Sequence, residues 1–464
     1  MLPESTRNLT INHFPDEVLL EIFDSYRRSA IFYKWKRKYV WFNLAHVCRK
    51  WRAIMFASTT RLDLGITVGP LKPAHIKTIL SGTLPIFIKY DCMRDDLTRS
   101  ALWRLRTTLK QHDRVREISV EGTTALFDKF FRATNCTFPV LESLVLRPKY
   151  GEELTIPDTF LGGPDLSHLH LRYIRLARIS LSSVSRLLLS TSTLIELSLQ
   201  IDNAFGTSVE TPLLACLQGM PLLCRLYLFI SSSHLESTSL PSTLKDIVPL
   251  SNLTNFAYFG HCVMLDALVA GLSAPFLQSL RIEFNGENLS PIVHLSRFIN
   301  ETEERCNALH ISFHEWALRL SVRTHSNHDW LRFRFRPAPR QSAESIMQIS
   351  DALSTKLTTI KELCITFSRT AAEDDIPWCR FHQQFPNVKL IRTEGRNCSC
   401  IARTLLQDQH VDDVAFFPAL EKIELGEDKM GSQESRSEPE LAAFDPFISA
   451  RQRAGRPVNV CFRP

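Results

Sequence analysis

The hexapeptide Leu141-Glu142-Ser143-Leu144-Val145-Leu146 decides how this chain reads. Its apolar residues fall at i, i+3 and i+5. On a strand the last two point to one side, and the residues between and beside them point to the other. One such phrase is common by chance, but here it recurs. It returns at Leu166/Leu169/Leu171, Leu194/Leu197/Leu199, Leu223/Leu226/Leu228, Leu253/Phe256/Tyr258 and Leu277/Leu280/Ile282. It continues at Cys306/Leu309/Ile311, Trp330/Phe333/Phe335, Ile360/Leu363/Ile365, Val388/Ile391/Thr393 and Leu420/Ile423/Leu425. Val115/Ile118/Val120 stands upstream, with Leu62/Leu64 and Ile86/Ile88 as degenerate earlier members. The steps between first positions run from roughly 24 to 32 residues.

That phrase and step resemble the leucine-rich repeat, whose period is about 20–29 residues. The resemblance implies an α/β fold: a solenoid of parallel strands on a concave face, each followed by a return through a helix or irregular segment. Thr98–His112 and Met264–Leu272 suit such returns. The family places Asn or Cys three residues after the last apolar strand position. Those slots hold Asp202, Ser231, Asn285, Ser368 and Asp428 in some repeats, and residues such as Lys149 and Ile174 in others. The expected solenoid is therefore irregular, with uneven curvature. Outward strand residues on its concave face include Glu142, His168, His170, Glu196, Arg225, Tyr227, Arg281, Glu283, Arg332 and Arg334. They are mixed in charge and name no ligand.

Ahead of the repeats lie HFPDEVLLEIF (His13–Phe23) and LAHVCRKWRAIM (Leu44–Met55). Pro15 suits a first helical position, and Asp16 and Glu17 complement the helix dipole behind it. Val18/Ile22 and Leu19/Phe23 form two i,i+4 pairs. In the second piece Leu44, Val47, Cys48, Trp51, Ile54 and Met55 share one helical face, with His46, Arg49, Lys50 and Arg52 opposite. Two short amphipathic helices cannot bury a core alone. Either they pack on the rest of the chain, or they present apolar surface to a partner.

The pair resembles the F-box, the N-terminal helical module of substrate receptors in SCF-type ubiquitin ligases. Phe14-Pro15, Asp16-Glu17, Val18 through Phe23, Leu44 and Val47-Cys48-Arg49-Lys50-Trp51 carry the resemblance, over roughly 45 residues. Phe14 stands where the family has Leu, and the link Asp24–Asn43 is longer and more basic than usual. The whole chain is similar to the F-box repeat proteins numerous in mushroom-forming fungi. The resemblance implies docking on the acidic adaptor subunit of the ligase, which is joined to a cullin. It implies adaptor contacts at Phe14, Pro15, Leu19, Ile22, Leu44, Val47 and Trp51. The solenoid would then hold a protein substrate.

The domain reading is an F-box-like helical module at 1–60, a repeat solenoid at 61–428, and a disordered loop with a C-terminal cap at 429–464. Within it Ser231–Ser242 reads as a polar surface loop, and Gly426–Glu440 has too few apolar residues to order. Phe444, Phe447 and Ile448 at helical spacing, then Pro457 to Val460, read as the cap.

Charge supports a partner for the front end. The chain carries 55 Lys+Arg and 49 Asp+Glu, a net +6. Residues 1–60 hold ten of those bases against five acids, so nearly all of the excess lies there. A basic head fits an acidic protein. Nucleic acid is the rival partner, with Lys34 to Lys38 (KWKRK) as its contact, as a nuclear-localisation patch, or as a merely solvated face.

The sequence offers little for catalysis. It has no GxxxxGK[ST], GxGxxG, GxSxG or HExxH. Cys379-x2-His382 with Cys398-Ser399-Cys400 is the nearest metal candidate, but Cys-x-Cys is unusual for structural zinc. Asp374-Asp375, Glu303-Glu304 and the histidines His310, His314, His325 and His328 read as surface or satisfied groups. The expectation is therefore no enzyme, no metal and no cofactor. The rival reading of an enzyme on the concave face lacks a titratable cluster. The twelve cysteines are scattered through apolar strings, as free thiols of a reducing compartment are. No apolar leader opens the sequence and no run reaches eighteen apolar residues, so a cytoplasmic or nuclear protein without membrane contact is expected.

Overall fold

The computed structural model describes residues 14–29, 40–58, 65–69, 83–91, 99–149, 153–163, 166, 169–202, 210–231, 247–285, 292–304, 306–314, 317–324, 328–335, 342–367, 383–394, 402, 405, 417–426 and 442–462. The chain forms two compact units, Met1–Leu176 and Ala177–Pro464.

The first unit opens with three helices, α1 (Asp16–Ser29), α2 (Val40–Ala45) and α3 (Arg49–Ala57). Asp16 and Glu17 occupy the first turn of α1, where the helix dipole favours acids. Cys48 is the N-cap of α3, its Sγ accepting from the Trp51 N–H at 3.4 Å. Strands β1 (Ile66–Val68), β2 (Ile86–Asp91), β3 (Val115–Gly122), β4 (Ser143–Pro148) and β5 (Tyr173–Ala177) then pair in order, all parallel. Helices α4 (Arg99–Leu109) and α5 (Thr124–Ala133) return between them, α4 within the predicted Thr98–His112 segment.

Register shows why the phrase works. Ile118 lies against Leu144 and Val120 against Leu146, so each i,i+2 apolar pair continues a buried column. Burial of each Leu, Ile or Val contributes about 1.5–3 kcal/mol. The next strand corrects the sequence reading. Ile174 and Leu176 continue the columns, so the phrase is Leu171/Ile174/Leu176, five residues beyond Leu166/Leu169/Leu171. Leu166, Leu169 and Leu171 are buried ahead of the strand, and His170 is not on it. His168 and Leu62/Leu64 lie outside the described residues.

In the second unit helix α6 (Leu181–Leu189) precedes β6 (Glu196–Asp202), and α7 (Glu210–Gln218) precedes β7 (Arg225–Ser231). A two-residue parallel pair, β8 (Val248–Pro249) and β10 (Leu272–Ser273), brackets β9 (Asn255–Gly260) and α8 (Cys262–Ala270). Then come β11 (Ser279–Phe284), α9 (Val293–Asn300), β12 (Cys306–His314), β13 (Ala317–Thr324) and β14 (Asp329–Phe335). The series ends with α10 (Ser342–Leu357), β15 (Glu362–Phe367), β16 (Leu390–Glu394), β17 (Lys422–Gly426), α11 (Asp445–Arg453) and β18 (Asn459–Phe462). The expected C-terminal cap is thus a helix with Phe444 and Phe447 buried, followed by a strand paired parallel to β17. Most of the expected Gly426–Glu440 and Ser231–Ser242 loops lie outside the described residues.

The sheet of this unit runs β6-β7-β9-β11-β14-β13-β12-β15-β16-β17-β18. The middle departs from a simple stack. The Cys306 and Trp330 phrases are not consecutive parallel repeats. Strand β13 runs antiparallel between β12 and β14, and β14 rather than β12 joins β11. Strand alternation builds the insert: Leu318, Leu320 and Val322 point inward, leaving Arg319, Ser321 and Arg323 on the opposite face. The buried Trp330 donates its Nε1–H to the Leu277 carbonyl at 3.1 Å. Lys356 of α10 lies 5.5 Å over that ring and donates to the Thr302 carbonyl at 2.6 Å. The chain is thus mixed α/β with a large, mostly parallel sheet, as a repeat solenoid requires. No helix among the described residues is long and apolar enough to cross a membrane.

Candidate functional site

The N-terminal helices have an inside and an outside. Leu19, Leu20 and Phe23 of α1, Leu44 and Ala45 of α2, and Trp51, Ile54 and Met55 of α3 form one buried cluster, with Cys48 and Leu84 against it. Phe23 and Trp51 meet with ring centroids 4.7 Å apart. The module therefore seals a small core. Leu19, Leu44 and Trp51, three of the expected docking contacts, lie inside it, Leu19 with no exposed surface.

The other expected contacts lie outside. Phe14 is 45% exposed, Ile22 39% and Val47 56%, and Pro15 is exposed too. Val18 and Tyr26, which sequence reasoning passed over, join them. Val18, Ile22 and Tyr26 recur every fourth residue and so share a stripe along α1, with Phe14 just ahead of the helix. Phe56 of α3 is also exposed. Charged groups fix the start of the stripe: Lys50 Nζ donates to the Phe14 carbonyl at 3.1 Å and lies 3.4 Å from Asp16. The basic run Lys34–Lys38 lies outside the described residues.

The second surface is the sheet face opposite the apolar columns in the second unit. Glu196 and Arg225 lie in register on β6 and β7 and pair at 2.7 Å. Arg178 pairs with Asp202 at 2.7 Å. At the other end Arg392 of β16 bridges Glu362 and Glu424, each at 2.9 Å. The Glu424 carboxyl sits below its ordinary range because Lys422 and Arg392 both donate to it. Between these pairs Phe229 and Phe259 stack at 4.4 Å, with the Arg281 guanidinium 5.1 Å over Phe259. Where β11 meets the insert in parallel, Arg281 lies opposite Arg332 and Glu283 opposite Arg334; within the antiparallel insert Arg334 also lies opposite Arg319. Glu196, Arg225, Tyr227, Arg281, Glu283, Arg332 and Arg334 thus share one face, as expected. Arg319 was missed because β13 was not recognised.

Among the described residues no group of His, Cys, Asp and Glu could hold a metal ion. Cys379, His382, Cys398 and Cys400 lie outside them. No disulfide joins the described cysteines. Burial pushes the Cys306 thiol up to about 11, which leaves it protonated and unreactive at neutral pH.

No family model matches this chain. No curated protein matches it either. Among solved structures it is similar to the leucine-rich repeat-containing protein LegL7 from Legionella pneumophila, at 13% identity. That match covers 68% of this chain and 91% of the other, with a TM-score of 0.27. The repeat reading rests on strand register, not on that likeness.

Proposed function

We propose that this chain is a substrate-recognition adaptor of an SCF-type cullin ubiquitin ligase. The N-terminal helices dock on the acidic adaptor subunit, and the sheet face of the second unit holds a protein substrate. One observation carries the reading: a helical module that already closes its own core still exposes an apolar stripe through Phe14, Val18 and Ile22, with Val47 also exposed. An apolar centre ringed by polar residues is what an interface core needs. Leu19, Leu44 and Trp51 serve by holding α1 to α2 and α3, not by touching the partner.

The mechanism is tethering. Holding a substrate beside a bound ubiquitin-conjugating enzyme raises effective concentration, and no residue of this chain does chemistry. Affinity purification of the intact chain tests it. Adaptor and cullin peptides among the captured proteins support the reading, and their absence contradicts it.

A second reading has its own support. The charged sheet face is built independently of the front helices, so the chain also suits a repeat-type interaction scaffold without a ubiquitin role. The two separate on one result, whether capture of a substrate brings a cullin with it.

A further inference from the structure

We propose that the antiparallel insert β12–β13–β14 builds a binding site for a single phosphate group carried on a polypeptide side chain. The site is a basin of about 370 Å³ lined by Arg281, Arg319, Arg332, Arg334, His310 and Ser312.

The register makes the case. Directly opposed like charges destabilise a sheet. Here Arg281 is opposed to Arg332, and on the neighbouring row Arg334 is opposed to Arg319. The two rows lie two residues apart on one face, so four arginines line one basin. Glu283 offsets part of this charge, at 3.0 Å from Arg334 and 3.8 Å from Arg281. Asp329 offsets more, accepting from Arg323 at 2.9 Å and from Arg332. A fold that needed only a strand there would not set Arg against Arg twice. A dianion with three acceptor oxygens satisfies forked donors from several directions. The His310 ring nitrogen, 3.0 Å from Thr366 Oγ1, and the Ser312 hydroxyl add polar groups to the basin. The nearby His314 imidazole is held below its usual pKa by burial and then by Arg319, Arg334 and His310, so it feels the same positive field.

The flanks select the ligand. On one side Arg225 and Arg178 are paired to Glu196 and Asp202. On the other, Arg392 is paired to Glu362 and Glu424. The cationic block is therefore local, too short for the run of phosphates on a nucleic acid, which needs a continuous basic track. A second hollow, of about 670 Å³, shares Arg281 and Arg332 and is lined by Tyr227, Asn255 and Ala257. It gives a polypeptide a place to lie beside its phosphate. The site rests on the interaction reading only in assigning this face to a polypeptide. Docking through α1 can fail without affecting it.

The test titrates the full chain into a fluorescent peptide mixture with one fixed phosphoserine between degenerate positions. The unphosphorylated mixture and an oligouridine run beside it. The phosphorylated mixture should bind about tenfold tighter than the unphosphorylated one, the gain of one charge-assisted forked contact. Inorganic phosphate should displace it. Arg319→Gln with Arg332→Gln should remove the preference. If the glutamine pair unfolds, Arg319→Lys with Arg332→Lys keeps the charge, loses the forks and should weaken binding several-fold. Equal binding of the two mixtures overturns the site, as does a preference that survives these variants. Tighter binding of oligouridine assigns the face to nucleic acid instead. Inorganic phosphate bound without the phosphopeptide overturns the polypeptide source.

Discussion

Arg281 of β11 lies directly opposite Arg332 of β14 in the sheet register. The pair exists because β14, not β12, joins β11, so the insertion of one antiparallel strand creates the most cationic stretch of the described face. A regular parallel stack would place the Cys306 phrase there, with Ala308 and His310 as its outward residues.

A bound phosphate should therefore stabilise this protein beyond the general effect of the salt. Linkage gives RT ln(1 + [L]/Kd), about 1.4 kcal/mol at ten times Kd. Thermal unfolding in inorganic phosphate and in chloride at matched ionic strength measures it. The excess in phosphate should shrink in Arg319→Gln with Arg332→Gln. An equal excess in that variant would mean bulk salt alone is acting.

His314 provides a local sensor. Burial first, then Arg319, Arg334 and His310, depress its folded-state pKa below the usual 6.5. At a given pH it therefore carries less charge than an unperturbed histidine. An anion in the basin opposes the arginines, so phosphate should move the His314 titration upward in an NMR pH series. A downward or absent shift would place the anion elsewhere.

Much of this was legible in sequence, and the failures have physical causes. The i,i+2 apolar pair specifies both strand and face, which is why β3, β4, β6, β7, β9 and β11 fall where the phrase predicts. Two overlapping copies at Leu166–Leu176 could not be ranked without a neighbour. Pairing of Leu144 with Ile174 chose the second. Strand β13 escaped because β12 and β14 stand one ordinary repeat step apart, and chain direction leaves no mark on a period of two. In α1 the series Val18/Ile22/Tyr26 and the pair Leu19/Phe23 both have helical spacing. Only packing against Trp51 shows which side turns inward.

The packing of α9 against α8 depends on Asp266, whose Oδ1 accepts from the buried Leu295 N–H at 2.8 Å. Asp266→Ala leaves that donor unmatched and should cost about 1–3 kcal/mol by denaturant unfolding. Asp266→Asn keeps an acceptor and should cost less. Burial raises the Asp266 carboxyl above 3.8, against the pull of Leu295 N–H and His294. The folded state therefore holds this proton more tightly than the unfolded chain. The wild type's advantage over Asp266→Asn should be fullest below pH 3.8 and fade as pH rises through the folded-state value. A growing advantage with rising pH would contradict the shift.

The front helices should divide cleanly by side. Leu19→Ala or Trp51→Ala opens a cavity in the sealed cluster and should cost about 2–5 kcal/mol, with local unfolding seen by hydrogen exchange at α1. Ile22→Glu and Val47→Glu alter exposed positions and should leave exchange protection unchanged. For this reason a Leu19 substitution cannot separate docking from folding.

The most direct measurement titrates purified acidic adaptor subunit, in complex with cullin, into the intact chain and into Ile22→Glu with Val47→Glu. Saturable binding by the wild type, lost in the variant while its exchange protection matches wild type, is the predicted result. No binding by the wild type, or equal binding by both, contradicts docking through the α1 stripe.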